Sequence, residues 1–536
     1  RKNTAKRCIQ NYKLSLALRA MNNDSNYKNR APTSRSHGDS HRGSDSHDIA
    51  RILSDPKTWD PAHTGRSHAA GHTDASNDLR LTDGSRVAVV GGGPAGSLFS
   101  FFLLKTLALV DTKIVLDIYE PRRFEHRGPA GCNHCGGIVS ESLVQILATE
   151  GILLPGEVVQ RGIDSYMLHM DVGSVRIDTP LHEKRIAAVY RGNGPRESQP
   201  TMTVGFDRYL LDLAVENGAT VQRKLVTDVK WLDARPCVVC ADGAETPYDL
   251  LVVASGVNSQ MTNVIEHLGL GYKAPSAVMT FISEFHMGQR TIEQHLGTSM
   301  HVFLLDLPRL EFAAMIPKGD FVTVCMLGHD IDEGLVNAFL NSPEVRRCFP
   351  GAIVPASVCH CFPRINVRCA RKPFADRVVF IGDSGATRLY KDGIGAAYRT
   401  SKAAAMTAAL HGISEQAFSQ HYWSACRAIN YDNMIGRFVF GVCHLIQKLR
   451  FSRRAVLRMT SHEQMRSGNK RLMSSVLWDV FTGSAPYREV LLRTFHPAFI
   501  GGLAWNLLAG NVPSSKAKNI KRGHDDRTSR QDISSG

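Results

Sequence analysis

Residues 87–104, VAVVGGGPAGSLFSFFLL, decide how the chain is read: an apolar, β-branched run breaks into glycines and resumes as a longer apolar run. The glycines at Gly91, Gly93 and Gly96 have the G-x-G-x-x-G spacing, with Pro94 and Ala95 between the second and third. In a strand–turn–helix unit the first glycine permits a tight turn, the second admits a pyrophosphate, and the third lets helix pack on strand. Free N–H groups at the helix start attract the anion. An ordinary glycine-rich turn has the same spacing, so a second signal is needed. TKIVLDIYE, residues 112–120, supplies it as a strand pattern ending in Glu120, 24 residues beyond Gly96. A carboxylate there accepts hydrogen bonds from an adenosine ribose and suits a 2′-hydroxyl better than a 2′-phosphate.

At 536 residues and 43% hydrophobic content, the chain is long enough for two or three domains with large cores. Residues 1–80 are polar and without periodicity and are read as a disordered segment or translated upstream sequence, with Met21 as an alternative start. A histidine-tract metal site is the competing reading there. Of the net charge of +14, residues 1–80 carry +6, residues 411–512 carry +7 and residues 513–536 carry +3, leaving −2 for residues 81–410. The basic balance therefore belongs to the ends, and the core has no basic, aromatic-interleaved stripe for nucleic acid. Twelve scattered cysteines without a secretory signal suit reduced thiols and a cytoplasmic setting. No apolar stretch reaches the ~18 residues of a spanning helix.

Further elements follow the nucleotide turn. The run after Gly205, FDRYLLDLAVENGATVQ, has a helical pattern through Leu210, Leu211 and Ala214. Residues 241–259 read as a turn at Asp242–Gly243 and a buried strand at 250–253 ending in Gly256. Residues 378–381 form another strand, followed by Gly382–Asp383 and then Gly393 and Gly395 opening an alanine-rich helix.

This order of motifs resembles the flavoprotein superfamily that includes geranylgeranyl reductases and aromatic-ring hydroxylases, over roughly residues 85–410. The resemblance implies an α/β fold: a Rossmann-type FAD-binding domain with an inserted β-sheet substrate domain (residues 81–410), a C-terminal helical region (411–512) and a disordered basic tail (513–536). It implies FAD as cofactor, bound by Gly91, Gly93, Pro94, Ala95, Gly96, Glu120, Arg208, Gly382, Asp383, Gly393 and Gly395. Asp383 takes the ribityl chain, and the Gly393–Gly395 segment approaches the flavin ring.

GPAGCNHCGGIVSESL, residues 128–143, resembles the reductases' cysteine-glycine loop, which implies Cys135 beside the flavin. Residues 316–319, Ile-Pro-Lys-Gly, resemble the reductases' F-P-K-G, with Phe312 and Ala314 where tyrosine and tryptophan are expected, so the pocket is remodelled. Tyr390 replaces the usual proline; it is read either as a phenol facing flavin or substrate, hence catalytic with Cys135, or as a surface tyrosine. Cys132, His134 and Cys135 form a lone C-x-x-C whose only companions would be Cys359, His360, Cys361 and Cys369, and no metal is expected. Residues 434–458 pass from apolar residues to Arg450, Arg453, Arg454 and Arg458, read as a membrane-surface helix or as a lid over the cavity.

The leading expectation is reduction of an alkene in an isoprenoid or similar apolar or lipid substrate. The electron donor is NAD(P)H or ferredoxin, and peripheral membrane contact accompanies this reading. The alternatives are a flavin monooxygenase acting on an aromatic or polyketide substrate, and a non-catalytic flavin-binding redox sensor.

Overall fold

The computed structural model describes residues 79–128, 135–179, 186–198, 204–465 and 471–509. The expectations for residues 1–78, for Cys132 and His134, and for the tail after residue 509 lie outside the described residues.

The opening stretch folds as strand, turn and helix: Arg86–Val90, then Pro94–Leu109. Pro94 stands in the first helical turn, where its missing N–H leaves no bond unmade. The apolar central strands are buried on both faces, as parallel strands covered by helices are, while the edge strand Thr220–Gln222 is partly exposed. They form a six-stranded sheet in the order Phe374–Ala375, Val378–Phe380, Leu250–Val253, Arg86–Val90, Val115–Tyr119, Thr220–Gln222. All neighbours are parallel except the first pair. Val90 pairs with both Val253 and Tyr119, and Val253 pairs with Phe380, so four strands end together along one edge. Ligands of open α/β sheets bind outside such an edge.

A second, seven-stranded sheet is inserted between these strands, in the order Cys359–Cys361, Phe281–His286, Phe321–Gly328, Leu310–Lys318, Ser299–Phe303, Ser165–Met170, Gly173–Asp178. The period-2 alternation of Leu310–Lys318 divides its side chains between two cores. Ala313 and Met315 face a layer with Phe339, Val345 and Phe349. Phe312, Ala314 and Ile316 face a layer supplied largely by the C-terminal helices, with Phe440, Trp478 and Phe481. A Rossmann-type domain with an inserted sheet domain and a C-terminal helical region is therefore the architecture.

The boundary at residue 410 falls at the end of the Gly393–Leu410 helix. Beyond it come helices at Trp423–Lys448, Arg450–Met465, Leu472–Thr482, Tyr487–Thr494 and Pro497–Ala509. The apolar-to-basic run 434–458 is thus two helices broken at Leu449, whose backbone is extended. It does not present all its arginines outward. Arg453 is buried and pairs with Asp171 at 2.6 Å, because an inward guanidinium needs a carboxylate partner. Arg458 donates to the Ala509 carbonyl at 2.8 Å. Among the described residues no helix is long and apolar enough to cross a membrane.

Gly436 lets the long helix touch the Tyr487 ring, and a Cβ there would stand 2.7 Å from two ring carbons. Gly436→Ala is expected to destabilise the protein by about 1–3 kcal/mol through overpacking. Thermal unfolding checks this, and an unchanged midpoint would remove the contact from the core.

Candidate functional site

The site begins at the glycine turn. Gly91 has φ +110°, and a Cβ there would sit 2.4 Å from the Ala254 carbonyl oxygen of the neighbouring strand's end. A Cβ on Gly96 would sit 1.9 Å from the Gly91 carbonyl oxygen. Only glycine closes this cradle. Glu120 is buried at the next strand's end, accepting from the Gly92 N–H at 3.1 Å and from Arg122 Nε at 3.0 Å.

The late Gly382–Asp383 turn is pinned against the same helix start. Gly382 N–H donates to Thr400 Oγ1 at 3.0 Å, and Ser401 Oγ donates to the Ala95 carbonyl at 2.7 Å. Asn366 Nδ2 holds the Asp383 carbonyl at 2.8 Å. Burial raises the Asp383 carboxyl, while Arg191 and a Thr387 hydrogen bond oppose the rise. Arg191 meets buried Asp207 through two hydrogen bonds, Nε–Oδ1 at 2.9 Å and Nη2–Oδ2 at 2.8 Å. Burial alone would lower the guanidinium's pKa, but the Asp207 charge and hydrogen bonds, with smaller contributions from Cys135 and Asp383, together outweigh it and the net shift is upward. The charge of Arg191 is therefore fixed beside the turn: a Cβ on Gly93 would lie 3.6 Å from its Nη2. Cys135 and Asp383 both act on it electrostatically.

The loop between these turns is held from behind by buried charge. Arg388 Nη1 contacts Asp392 at 2.9 Å and the Gly483 carbonyl at 3.0 Å. Its Nη2 contacts Asp432 at 3.3 Å and the Ala485 carbonyl at 2.9 Å. Lys391 Nζ donates to the Asp479 carbonyl at 2.5 Å and lies 4.2 Å above the Tyr487 ring; burial and the nearby Arg388 charge lower its pKa. Asn433 takes the Leu389 N–H and donates to the Thr387 carbonyl, each at 2.8 Å. Tyr390 and Asp392 consequently adopt φ +59° and +57°.

Beside this loop lie two adjoining cavities. One, of about 470 Å³, is bordered by Tyr390, Arg309, Glu311, His329, Arg368 and Arg437. The other, of about 420 Å³, is bordered by Arg368, Cys369, Asn430, Asn433 and Arg437. Tyr390 OH meets His329 Nε2 at 3.0 Å, and the same nitrogen lies 3.4 Å from Glu311 Oε1. Burial, followed by the Glu311 charge, raises the phenol pKa well above its usual value.

The structure thus gathers Gly91, Gly93, Pro94, Ala95, Gly96, Glu120, Gly382 and Asp383 around one sheet edge. The remaining sequence assignments are placed as follows. Arg208 turns to an exposed surface, with Asp212 at 3.1 Å and Glu125 at 3.7 Å; Arg191, at the end of an apolar strand and missed in the sequence, stands at the turn instead. Gly393 and Gly395 open a helix as expected, yet the Gly395 N–H is taken by Asp392 Oδ1 at 3.1 Å, because left-handed Asp392 is the helix cap. Tyr390 is a buried cavity wall rather than a surface loop residue. Cys135 lies by Arg191, its Sγ accepting from the Gly137 N–H at 3.4 Å. Cys359, His360, Cys361 and Cys369 do not form a ligand cluster among the described residues.

No protein-family profile matches the chain, and no curated protein sequence does. Solved structures do. A geranylgeranyl bacteriochlorophyll reductase-like protein from Thermoplasma acidophilum aligns over 77% of this chain and 99% of its own, at 13% identity and TM-score 0.56. The halogenase PltM, solved with ethyl mercury and mercury, aligns over 80% and 91% at 13% identity and TM-score 0.51. A mutant of PltM in complex with FAD aligns over 82% and 94% at 13% identity and TM-score 0.50. At such identities the likeness shows the fold.

Arg388→Met removes the partner of two buried carboxylates, a change worth about 3–5 kcal/mol. The variant is expected to lose stability on that scale in denaturant unfolding and to release the Thr387–Asp392 loop. Arg388→Lys is expected to recover only part of the loss, since an ammonium cannot reproduce the guanidinium's four contacts.

Proposed function

We propose that the chain is a FAD-dependent oxidoreductase that reduces an alkene in an anionic amphiphile, such as an isoprenoid carrying a phosphate or carboxylate. The observation that carries this reading is the cavity wall in which Tyr390, His329 and Glu311 lie among Arg309, Arg368 and Arg437.

The described residues suit FAD: glycines at 91 and 96 permit a turn too tight for any Cβ, which brings the helix start and its N–H groups to the sheet edge where a pyrophosphate would bind. Glu120 suits a ribose hydroxyl and Asp383 the ribityl chain. When bound, reduced FAD supplies hydride. The arginines neutralise the substrate's anion and orient it by charge-assisted hydrogen bonds. Tyr390 stays protonated at neutral pH because burial disfavours phenolate, so its O–H is the proton source. His329 Nε2, 3.0 Å from the phenol and 3.4 Å from Glu311 Oε1, is placed to relay a proton back to it.

An exposed face of the long helix supports access from a membrane surface. Tyr431, Met434, Phe438, Val442 and Leu445 form an exposed apolar stripe at helical spacing, flanked by exposed Arg427, Lys448, Arg450 and Arg454. Such a face suits an anionic bilayer, and the same helix contributes Arg437 to the cavities. The proposed donor is NAD(P)H or ferredoxin, acting transiently.

A monooxygenase acting on a compact aromatic or polyketide acid is the second reading, favoured by the arginines that border the cavities. Phe312 stacks on Phe440 at 6.0 Å and meets Phe481 at 5.3 Å, so aromatic rings occupy this part of the sheet's face.

The deciding experiment is single turnover of FAD-loaded, chemically reduced protein with unsaturated anionic amphiphiles under nitrogen. Product gaining two hydrogens is expected; product that gains oxygen, and only in air, would move the assignment to the monooxygenase. Arg437→Gln is expected to raise KM about tenfold, the worth of one charge-assisted hydrogen bond, with FAD content unchanged. Sedimentation with anionic vesicles is expected to be reversed by salt and weakened by Phe438→Asp; equal binding to neutral vesicles, or none to either, would remove the membrane.

A further inference from the structure

Behind the seven-stranded sheet, on the face away from Phe312 and Phe440, three buried side chains converge. His169 and His301 come from neighbouring parallel strands, in which His169 pairs with Phe303 and His301 with Met167. Cys348 follows the short Pro343–Arg346 helix. His169 Nε2 lies 2.9 Å from His301 Nδ1, and Cys348 Sγ lies 3.4 Å from His301 Nδ1 and 3.9 Å from His169 Nε2. All three residues are less than a tenth exposed.

We infer that His169, His301 and Cys348 form a structural metal site for a divalent late transition ion, zinc by its ligand set. Zinc bound to imidazole at about 2.0–2.1 Å and thiolate at about 2.3 Å places tetrahedral ligand atoms roughly 3.3–3.6 Å apart. The three observed separations straddle that spacing, so small side-chain adjustments bring all three atoms onto one ion. The surroundings already orient the rings. His169 Nδ1 meets Ser174 Oγ at 2.8 Å, and the His301 ring bonds to the Leu296 backbone. When both rings donate N–H to these partners, each turns a bare nitrogen toward the other at 2.9 Å, an arrangement that a shared cation stabilises. Partners of this kind fix tautomer and ring direction in metal sites.

Burial keeps both imidazoles neutral, as ligands must be. It also holds the Cys348 thiol protonated in the metal-free protein, while the Arg347 charge favours thiolate. Binding therefore exchanges one proton for one metal ion: the S–H bond breaks, a sulfur–metal bond forms, the proton leaves to solvent, and no electron is transferred. Arg347 adds positive charge near the ion, which makes the thiolate the indispensable ligand. A bound ion would tie the segment around Cys348 to the two strands beneath it. No spacing motif announces this site, because residues 169, 301 and 348 lie far apart in the chain.

The test is metal analysis of full-length protein purified without chelator, followed by titration of chelator-treated protein with Zn²⁺ and with Co²⁺ as a visible reporter. About one equivalent of zinc per chain is expected, together with thiolate-to-cobalt absorption. Cys348→Ser is expected to abolish that absorption and to weaken zinc binding by more than about 100-fold, since it removes a direct ligand where loss of an outer-shell partner already costs about 10–100-fold. His301→Gln serves as a second variant, and circular dichroism identifies any variant that has not folded. Wild-type protein that holds less than about a tenth of an equivalent and takes up neither ion would overturn the site. So would metal uptake that both folded variants retain in full.

Discussion

The Arg388 guanidinium is the constraint on which the site depends. It is buried, and its terminal nitrogens reach Asp392, Asp432 and the carbonyls of Gly483 and Ala485. An unpaired buried charge costs several kcal/mol, so loop, long helix and the following helical hairpin must meet in one arrangement. That arrangement holds Tyr390 and Asp392 in left-handed backbone, a strain of about 1–3 kcal/mol each that the surrounding contacts must outweigh. The strained backbone then aims Tyr390 into the cavity and puts the Asp392 carboxylate on the helix start.

The glycine-turn half of the candidate site rests on local rules and is readable for that reason. Strand, glycine turn and helix between residues 86 and 109 are contiguous, and close approach demands glycine wherever it occurs. Glu120 and Gly382–Asp383 were equally legible, because parallel strands that end together bring their next residues to one edge. The helix at Phe206–Glu216 was legible from its apolar spacing, but not the direction of its polar residues. Asp207 and Arg208 are neighbours, yet one is buried against Arg191 and the other is exposed.

What the sequence hid are partnerships across long separations. Nothing near Arg453 announces Asp171, so a row of arginines looked uniformly solvated although one of them is an inward ion pair. Nothing near Tyr390 announces His329. The apolar run 438–446 shows the same limit: Phe438 and Leu445 face outward while Val439 and Phe440 enter the core, and only the partner layer decides between them. The remodelled strand at Phe312 and Ala314 was visible as a departure. Its consequence, aromatic rings from the last helices over that strand, was not.

The dependence of the Thr387–Asp392 loop on the C-terminal helices also has a temporal side. Its partners at Gly483, Ala485 and Tyr487 lie 95–98 residues further along the chain. During synthesis the glycine turn, the second strand and Glu120 emerge early and can fold as a unit. The loop that closes the site over them lacks its Gly483, Ala485 and Tyr487 partners until almost the whole described chain has been made. At about 5–20 residues per second that interval lasts several seconds. A half-built cradle therefore precedes the finished one during synthesis, and closure of the site belongs to the end of folding rather than its beginning.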